Sequence, residues 1–104
     1  MTRQPEAQSQ HDIRLALSAV PGLVLWRNHV GAAMIDGRKQ SFGLARGSAD
    51  LIGIWQNGAF VALEVKTPSG RVSEAQARFL SLVRSHGGIA VVVRSVEEAL
   101  AVFT

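Results

Sequence analysis

Two charged residues end an otherwise apolar run in this sequence. Residues 60–63 are apolar, and Glu64 and Lys66 follow, separated by Val65. Because strand side chains alternate between two faces, Glu64 and Lys66 project from the same face, about 7 Å apart. Charge on a buried strand is unfavourable unless it is paired or bound to a ligand. The pattern is therefore typical of a site where a carboxylate and an ammonium act together, although an ion pair on an edge strand would also produce it.

A second carboxylate comes opposite the first if the preceding hairpin has a particular loop length. Residues 56–58, Gln-Asn-Gly, separate two apolar segments and are a strong hairpin signal. A three-residue loop, formed by a type I turn with its glycine in the left-handed conformation, pairs Trp55 with Ala59 and brings Asp50 opposite Glu64. A two-residue loop would instead place the two acids on opposite faces of the sheet.

The three-residue loop predicts a divalent metal site. It places the Cβ atoms of Asp50 and Glu64 about 5 Å apart, which is repulsive unless a cation lies between the carboxylates. Mg²⁺ and Mn²⁺ are the hard cations that prefer oxygen ligands of this kind. Asp50 could alternatively be a turn aspartate, since it follows Gly47 and Ser48.

Three polar residues on predicted helices could complete this site. Glu6 and Gln10 share a helical stripe with Ile13 and Leu17, so they lie at one end of the face that packs inward. An acid in the first helical turn also complements the helix dipole, and Gln10 needs no role beyond the surface. Gln76 completes a capping box that begins three residues earlier, which alone would explain it.

The composition restricts the chemistry to oxygen and nitrogen ligands in one small domain. The chain has 104 residues, no Cys and a net charge of +3, carried by nine Arg and two Lys against eight acids. Without Cys there is no disulfide framework, zinc–thiolate site or thiol nucleophile. No apolar run approaches about 18 residues, so we expect no membrane span and a cytoplasmic protein. A basic balance dominated by Arg favours an anionic partner such as nucleic acid, although a basic surface alone is equally compatible.

Periodicity and turn signals predict an α/β domain spanning residues 1–104. Pro-Gly and Gly-Gly pairs end two amphipathic helices, and Asp36-Gly37 predicts a type I′ hairpin with its return strand at residues 41–42. The run at residues 89–93 is apolar throughout, as in a strand covered on both faces. The predicted elements are a helix at 5–20, strands at 23–30, 49–55 and 59–66, a helix from 73 to before 87, a strand at 89–93 and a helix at 96–103.

These residues together resemble the PD-(D/E)xK nuclease superfamily, and specifically the VRR-NUC domain. The resemblance covers residues 6–98 and rests on an inward acid on the first helix, Gly-Ser-Ala-Asp at 47–50, Glu-Val-Lys at 64–66 and Ser-Glu-Ala-Gln at 73–76. Trp-Arg-Asn at 26–28 before Gly31, and residues 87–95, also fit. Ala49 stands where the superfamily has proline, and Ser95 stands where the second arginine of Val-Arg-Arg would be.

The resemblance implies a restriction-endonuclease-like core, with a mixed central sheet flanked by helices in the order α-β-β-β-β-α-β-α. It also implies hydrolysis of DNA phosphodiesters with Mg²⁺ or Mn²⁺. Asp50 and Glu64 would be metal ligands, with the backbone carbonyl of Val65 as a third. Glu6 would coordinate the metal or orient a water. Lys66 would position the attacking water and stabilise charge on the phosphate, and Gln76 would orient Lys66 or the water.

Several further residues are candidates for contact with DNA. The guanidinium and ammonium groups would bind phosphate largely independently of base sequence. These candidates are Arg27, Asn28, Arg38, Lys39, Arg46, Arg71 and Arg94. The three histidines, at positions 11, 29 and 86, lack metal-ligand spacing.

The resulting hypothesis is a metal-dependent, structure-selective endodeoxyribonuclease. Stand-alone domains that this chain resembles are homodimers acting on branched DNA such as four-way (Holliday) junctions, and they suggest phage or mobile-element DNA processing. Two copies would also give a duplex-sized footprint. The alternative is a non-catalytic nucleic-acid-binding or assembly module that retains the fold. A nucleotide-binding enzyme that uses residues 43–48 is disfavoured, because no Gly-Lys-Ser/Thr loop follows a strand.

Overall fold

Residues 6–104, which the computed structural model describes, fold into a mixed sheet with helices on both faces. The predicted helix start at Pro5 lies outside these residues, and the first residue described, Glu6, belongs to α1. The elements are α1 (Glu6–Leu17), β1 (Val24–Arg27), β2 (Gly31–Ile35), β3 (Arg38–Phe42), β4 (Leu51–Trp55), β5 (Ala59–Val65), α2 (Glu74–Ser85), β6 (Ile89–Val93) and α3 (Val96–Val102).

The central sheet has the strand order β1-β4-β5-β6. Neighbouring strands are antiparallel except β5 and β6, which are parallel and joined through α2. A parallel pair requires a crossover connection, and a helix is the usual one. The sheet is therefore mixed and flanked by helices, as the family resemblance implied.

The two faces of the sheet bury separate apolar clusters. One face packs against α1 and α3 through Ile13 and Leu17, the buried end of the predicted helical stripe. The other face packs against α2 through Leu80 and Val83, and α2 lies mainly over β5 and β6. Strand β6 is thus enclosed from both sides, which explains its continuously apolar sequence.

The predicted strand at residues 23–30 is two separate strands. Strand β1 ends at Arg27, and β2 begins at Gly31 and pairs only with β3, in a two-stranded sheet of its own. Asp36 and Gly37 both have positive φ, 51° and 75°, as the predicted type I′ turn requires. The described chain therefore has one more strand before α2 than the sequence predicted, because the hairpin supplies a complete pair.

The hairpin between β4 and β5 has the register of a three-residue loop. Trp55 pairs with Ala59, and Leu51 pairs with Leu63. The turn itself differs from prediction: Asn57 is left-handed (φ 66°, ψ 18°) as well as Gly58 (φ 79°). A type I turn has a right-handed residue at the middle position, so the predicted turn type is wrong although the register is confirmed.

Both helices that follow the hairpin begin with a serine cap. Ser73 caps α2, and Ser95 caps α3 by accepting a hydrogen bond from the Glu98 N–H at 3.1 Å. These caps satisfy N–H groups that otherwise lack partners at a helix start. Within residues 6–104, no helix has the length and hydrophobicity needed to cross a bilayer.

Candidate metal centre

Asp50 and Glu64 face each other at one end of the β4–β5 ladder. The register that pairs Leu51 with Leu63 places Asp50 opposite Glu64, as the three-residue loop predicted. Asp50 lies in a bend just before β4 rather than inside it, and its Oδ2 accepts a hydrogen bond from the Val65 N–H at 2.8 Å. This bond connects the main chain beside Glu64 to the opposite carboxylate.

Glu6 brings a third carboxylate to the same place. Each of Glu6, Asp50 and Glu64 offers an oxygen that lies within 4.8 Å of the others. Glu6 is the first residue of α1, which packs on β5 and α3, so its carboxylate reaches the ends of the strands. Gln10, the other polar residue of the stripe, is half-buried in a cleft beside Arg27 and Leu51. Three carboxylates at this spacing suit a hard divalent cation.

Glu64 is the most deeply buried member of this cluster, at 1% exposure. Its Oε1 accepts a hydrogen bond from Gln76, whereas its Oε2 has no hydrogen-bond partner among the described residues. Burial above all, followed by the neighbouring Asp50 carboxyl, raises the pKa of Glu64 from 4.5 to about 8, although Lys66 acts to lower it. A buried oxygen without a partner is unfavourable, and either a proton shared with Asp50 or a bound cation would satisfy it.

Gln76 serves the helix and the carboxylate cluster with the two ends of one amide. Its side-chain Oε1 accepts a hydrogen bond from the Ser73 N–H at 2.9 Å. The backbone N–H of Gln76 donates to Ser73 Oγ at 3.1 Å, so the capping box is complete. The opposite end, Nε2, donates to Glu64 Oε1 at 3.0 Å. The helix cap thereby fixes the direction in which the amide N–H points.

Lys66 follows β5 immediately and lies beside Glu64, on the face that the alternation predicted. Its Nζ is 3.9 Å from Glu64 Oε1, and the side chain is only 12% exposed. Its backbone N–H donates to the Val93 carbonyl at 3.1 Å, so the main chain remains tied to β6 after the strand ends. The ammonium is therefore fixed at the rim of the carboxylate cluster.

Two of the predicted DNA contacts donate their side-chain hydrogen bonds to other groups of the protein. Arg94 donates through Nη1 to the carbonyls of Thr67 and Gly70, both at 2.7 Å. Asn28 donates through Nδ2 to Ser48 Oγ and the Ala49 carbonyl, both at 2.8 Å. The remaining predicted contacts are exposed: Arg27, Arg38, Lys39, Arg46 and Arg71.

A polar cleft of about 660 Å³ lies beside Gln76, at the start of α2, and Arg46 and Arg78 are among the residues that line it. Arg78 is not among the DNA contacts predicted from the sequence. The available signal was its i,i+4 spacing from Glu74, to which it is 3.8 Å away on the helix surface. The Glu74 carboxylate also lines the cleft, so its charged groups are two guanidiniums and one carboxylate.

Comparisons with known proteins bear on the family and the fold. The family model for the VRR-NUC domain matches residues 3–97. A solved structure described as a VRR_NUC domain superimposes with a TM-score of 0.62 and 22% sequence identity, covering 92% of this chain and 90% of that chain. A comparison with curated protein sequences finds no match. The matched family model therefore identifies this chain as a member of the VRR-NUC domain family, a family of nuclease-type domains.

Proposed function

We propose that this protein is a metal-dependent, structure-selective endodeoxyribonuclease that hydrolyses phosphodiester bonds in branched DNA such as four-way junctions. The observation that carries the proposal is the cluster of three carboxylates, Glu6, Asp50 and Glu64, with oxygens within 4.8 Å of one another and Lys66 beside them. An acidic cluster that only stabilised the fold would not need a buried oxygen without a partner.

The carboxylates of the cluster fit a Mg²⁺ or Mn²⁺ ion, and each residue of the site would have a separate role in hydrolysis. Asp50 and Glu64 would hold the metal, with Glu6 and the Val65 carbonyl as further ligands. When bound, the metal supplies Lewis-acid polarisation and activation of water. Lys66 would stabilise the negative charge that develops on the phosphate. Gln76 keeps the Glu64 carboxylate turned towards the cluster through its 3.0 Å hydrogen bond.

The surrounding surface supports DNA as the substrate. Arg46 and Arg78 line the cleft next to Gln76, and Arg71 is exposed just before α2. Such groups bind phosphate without reading bases, so affinity should fall steeply with salt. Selection of branched DNA would then depend on the shape of the backbone rather than on base sequence.

An uncovered apolar surface supports the homodimer that we propose as the active form. The face of the sheet that carries α2 is left open over β1 and β4. Val24, Trp26 and Ile54 are 52%, 50% and 45% exposed there. These side chains share one face because Val24 pairs with Ile54 and Trp26 is two residues from Val24. Large exposed apolar patches commonly mark interaction surfaces.

Cleavage of labelled junction, flap and duplex DNA tests the proposal. We expect cleavage of the junction with Mg²⁺ or Mn²⁺, none with EDTA, and a loss of turnover of about 100-fold or more for Lys66→Ala, as is typical when a charge-stabilising group is removed. Arg14→Ala is the matched control, because it removes one positive charge from the exposed face of α1. Equal cleavage by wild type and Lys66→Ala would overturn the mechanism. Metal-independent DNA binding without cleavage would support the non-catalytic module instead.

A further inference from the structure

Asn28 stands in the same cross-strand row as the two facing acids. Arg27 pairs with Leu51 in the β1–β4 ladder, so the next position places Asn28 opposite Asp50. Leu51 pairs with Leu63 in the β4–β5 ladder, which places Asp50 opposite Glu64. Directly opposed residues in a sheet project from the same face. Asn28, Asp50 and Glu64 therefore form one row on the face that carries α2.

Three hydrogen bonds from Asn28 hold the segment that leads into Asp50. The backbone N–H of Asn28 donates to the Asp50 carbonyl at 2.8 Å. Its side-chain Nδ2 donates to Ser48 Oγ and to the Ala49 carbonyl, also at 2.8 Å. One residue thus binds all three residues from position 48 to position 50.

These bonds matter because the regular ladder ends before it reaches Asp50. Strand β4 begins at Leu51, and Asp50 lies in a bend. The Asp50 carboxylate must nevertheless keep its distance from Glu64 and Glu6, because a metal site tolerates only small errors in ligand position. The side-chain amide of Asn28 extends the support by two residues beyond the backbone bond. It supplies both of its hydrogens to the protein's own oxygens.

We infer that Asn28 is a positioning residue that holds Asp50 in the geometry for metal binding, and that its amide is not a DNA contact. The inference rests on the metal centre of the proposed function. Asn28 would act through Asp50, as residues that hydrogen-bond to metal ligands commonly do. Ser48 is the side-chain acceptor in this arrangement and carries part of the same role.

Mn²⁺ binding to the metal-free protein, measured by titration calorimetry, tests the inference directly. Asn28→Ala should weaken Mn²⁺ binding by about ten- to a hundredfold, the range typical of groups behind a metal ligand. Excess Mn²⁺ should restore cleavage of junction DNA, and DNA affinity in EDTA should stay at the wild-type level. Gln40→Ala is the matched control, because it removes an exposed amide on β3 and should leave Mn²⁺ affinity unchanged.

A second variant and a second readout keep the test decisive if Asn28→Ala does not fold. Ser48→Ala removes one of the two side-chain acceptors and should weaken Mn²⁺ binding by a smaller factor than Asn28→Ala. In the metal-free protein, amide exchange of Val65 should accelerate in either variant, because the Val65 N–H is donated to Asp50 Oδ2. Unchanged Mn²⁺ affinity and unchanged Val65 exchange in the folded variants would overturn the inference.

The outcomes also separate this inference from the proposed nuclease activity. Wild-type protein that binds Mn²⁺ but does not cut DNA, together with weaker Mn²⁺ binding by Asn28→Ala, would reject the activity and support the positioning role. Cleavage by wild type with a loss of DNA affinity alone in Asn28→Ala would support the activity and make Asn28 a DNA contact. A wild-type protein that binds no Mn²⁺ would overturn both.

Discussion

Glu64 is a buried carboxyl whose pKa is raised well above its ordinary value. Its carboxyl is almost fully buried, it faces Asp50, and one of its oxygens has no hydrogen-bond partner among residues 6–104. A proton on Glu64 near neutral pH relieves the repulsion when no metal is bound. A metal ion would relieve it in a different way and displace that proton. The protonation of Glu64 and the occupancy of the site are therefore coupled.

Glu64→Gln should flatten the pH dependence of stability in the metal-free protein. The folded-state pKa of Glu64, about 8, is higher than its ordinary value of 4.5. The folded protein then retains a proton that the unfolded chain releases, so the contribution of Glu64 is complete below the ordinary pKa and is lost as the pH rises to the folded value. Thermal melts in EDTA should show a wild-type Tm that falls between about pH 5 and 8, and a smaller fall for Glu64→Gln.

The same melts with saturating Mn²⁺ provide the control. Metal binding requires the ionised carboxylate, so Mn²⁺ affinity should rise with pH towards 8 and oppose the loss of stability. Parallel Tm profiles for wild type and Glu64→Gln in EDTA would contradict the assignment of the pH dependence to Glu64.

The two roles of Gln76 can be separated by comparing it with its capping partner. Ser73→Ala removes the side-chain oxygen that caps α2 but leaves the Gln76 bond to Glu64, so stability should fall by about 1 kcal/mol with turnover retained. Gln76→Leu keeps the backbone N–H that Ser73 caps, but it removes the Oε1 that accepts from the Ser73 N–H and the Nε2 that donates to Glu64, so turnover should fall as well. Denaturation and cleavage rates measured on both variants check this. Equal turnover in the two variants would mean that Gln76 is only a cap.

At the level of elements, the site is assembled where four segments end or begin. Strand β5 ends at Val65, β4 begins at Leu51, α1 begins at Glu6, and the N-terminus of α2 brings in Gln76. Strand ends leave main-chain groups free for irregular bonds, and here the Val65 N–H donates to the Asp50 carboxylate. Side chains on rigid elements are placed precisely, while the connecting turns require separate support.

Arg94 supplies that support for the turn after Lys66. Its guanidinium bonds to the carbonyls of Thr67 and Gly70, so Arg94→Lys, which loses the planar fork, should loosen the turn and lower stability by about 1–3 kcal/mol. We expect reduced turnover with little change in Mn²⁺ affinity, because none of the three carboxylates contacts this turn through a described hydrogen bond. Denaturation, calorimetry and cleavage rates measure the three quantities.

Arg71→Lys is the matched control for Arg94→Lys, since the Arg71 side chain is exposed and makes no hydrogen bond within residues 6–104. It should leave stability at the wild-type value. A loss of DNA affinity without loss of stability in Arg94→Lys would instead favour the phosphate contact that the sequence predicted for Arg94.

Gly47 joins the loop before Asp50 to the first turn of α2. It has φ +87°, and a Cβ there would lie 2.7 Å from the backbone of Ala75. Gly37, with φ +75°, has open space around the same position. Both substitutions by alanine should pay about 1–2 kcal/mol for the left-handed backbone, and only Gly47→Ala should also displace neighbouring backbone. Urea denaturation should therefore show the larger destabilisation for Gly47→Ala, whereas equal losses would contradict the close packing.

At the scale of the whole molecule, the sheet is covered unevenly. Helices α1 and α3 cover one face, while α2 covers only half of the other and leaves apolar side chains exposed on β1 and β4. Asp50 and Glu64 project from this half-covered face, near the cleft at the start of α2, and Glu6 reaches them from α1 on the other face. A partner on the open half would therefore lie next to the site.

Ile54→Glu should shift the proposed homodimer towards monomer. The substitution places a charge in the centre of the open apolar surface, where its burial would be strongly unfavourable. Sedimentation velocity should show a lower average mass than for wild type, and junction cleavage should fall at low protein concentration. Leu15→Glu, which changes an exposed leucine on α1 that is 64% exposed, is the matched control. A wild-type monomer at all concentrations would refute the dimer.

The sequence by itself determined the features that depend on local pattern. Strand alternation put Glu64 and Lys66 on one face. The hairpin signal at residues 56–58 left two registers open, and the structure has the one that brings Asp50 opposite Glu64. Helical periodicity placed Glu6 in line with the buried Ile13 and Leu17. These features follow from the repeat of side chains along a strand or helix, which a sequence displays directly.

Only the tertiary structure decided which partners the polar side chains choose. Asn28 and Arg94 are residue types that commonly contact phosphate. Their side-chain donors instead bind backbone carbonyls more than 20 residues away in the chain. Gln76 fits a helix cap and a site residue equally well in sequence, and the fold makes it both. Long-range hydrogen bonds depend on which loops come together in space, and no periodicity along the chain records that. Packing of α1 and α2 against the sheet therefore determined how a predictable pair of acids became a supported cluster.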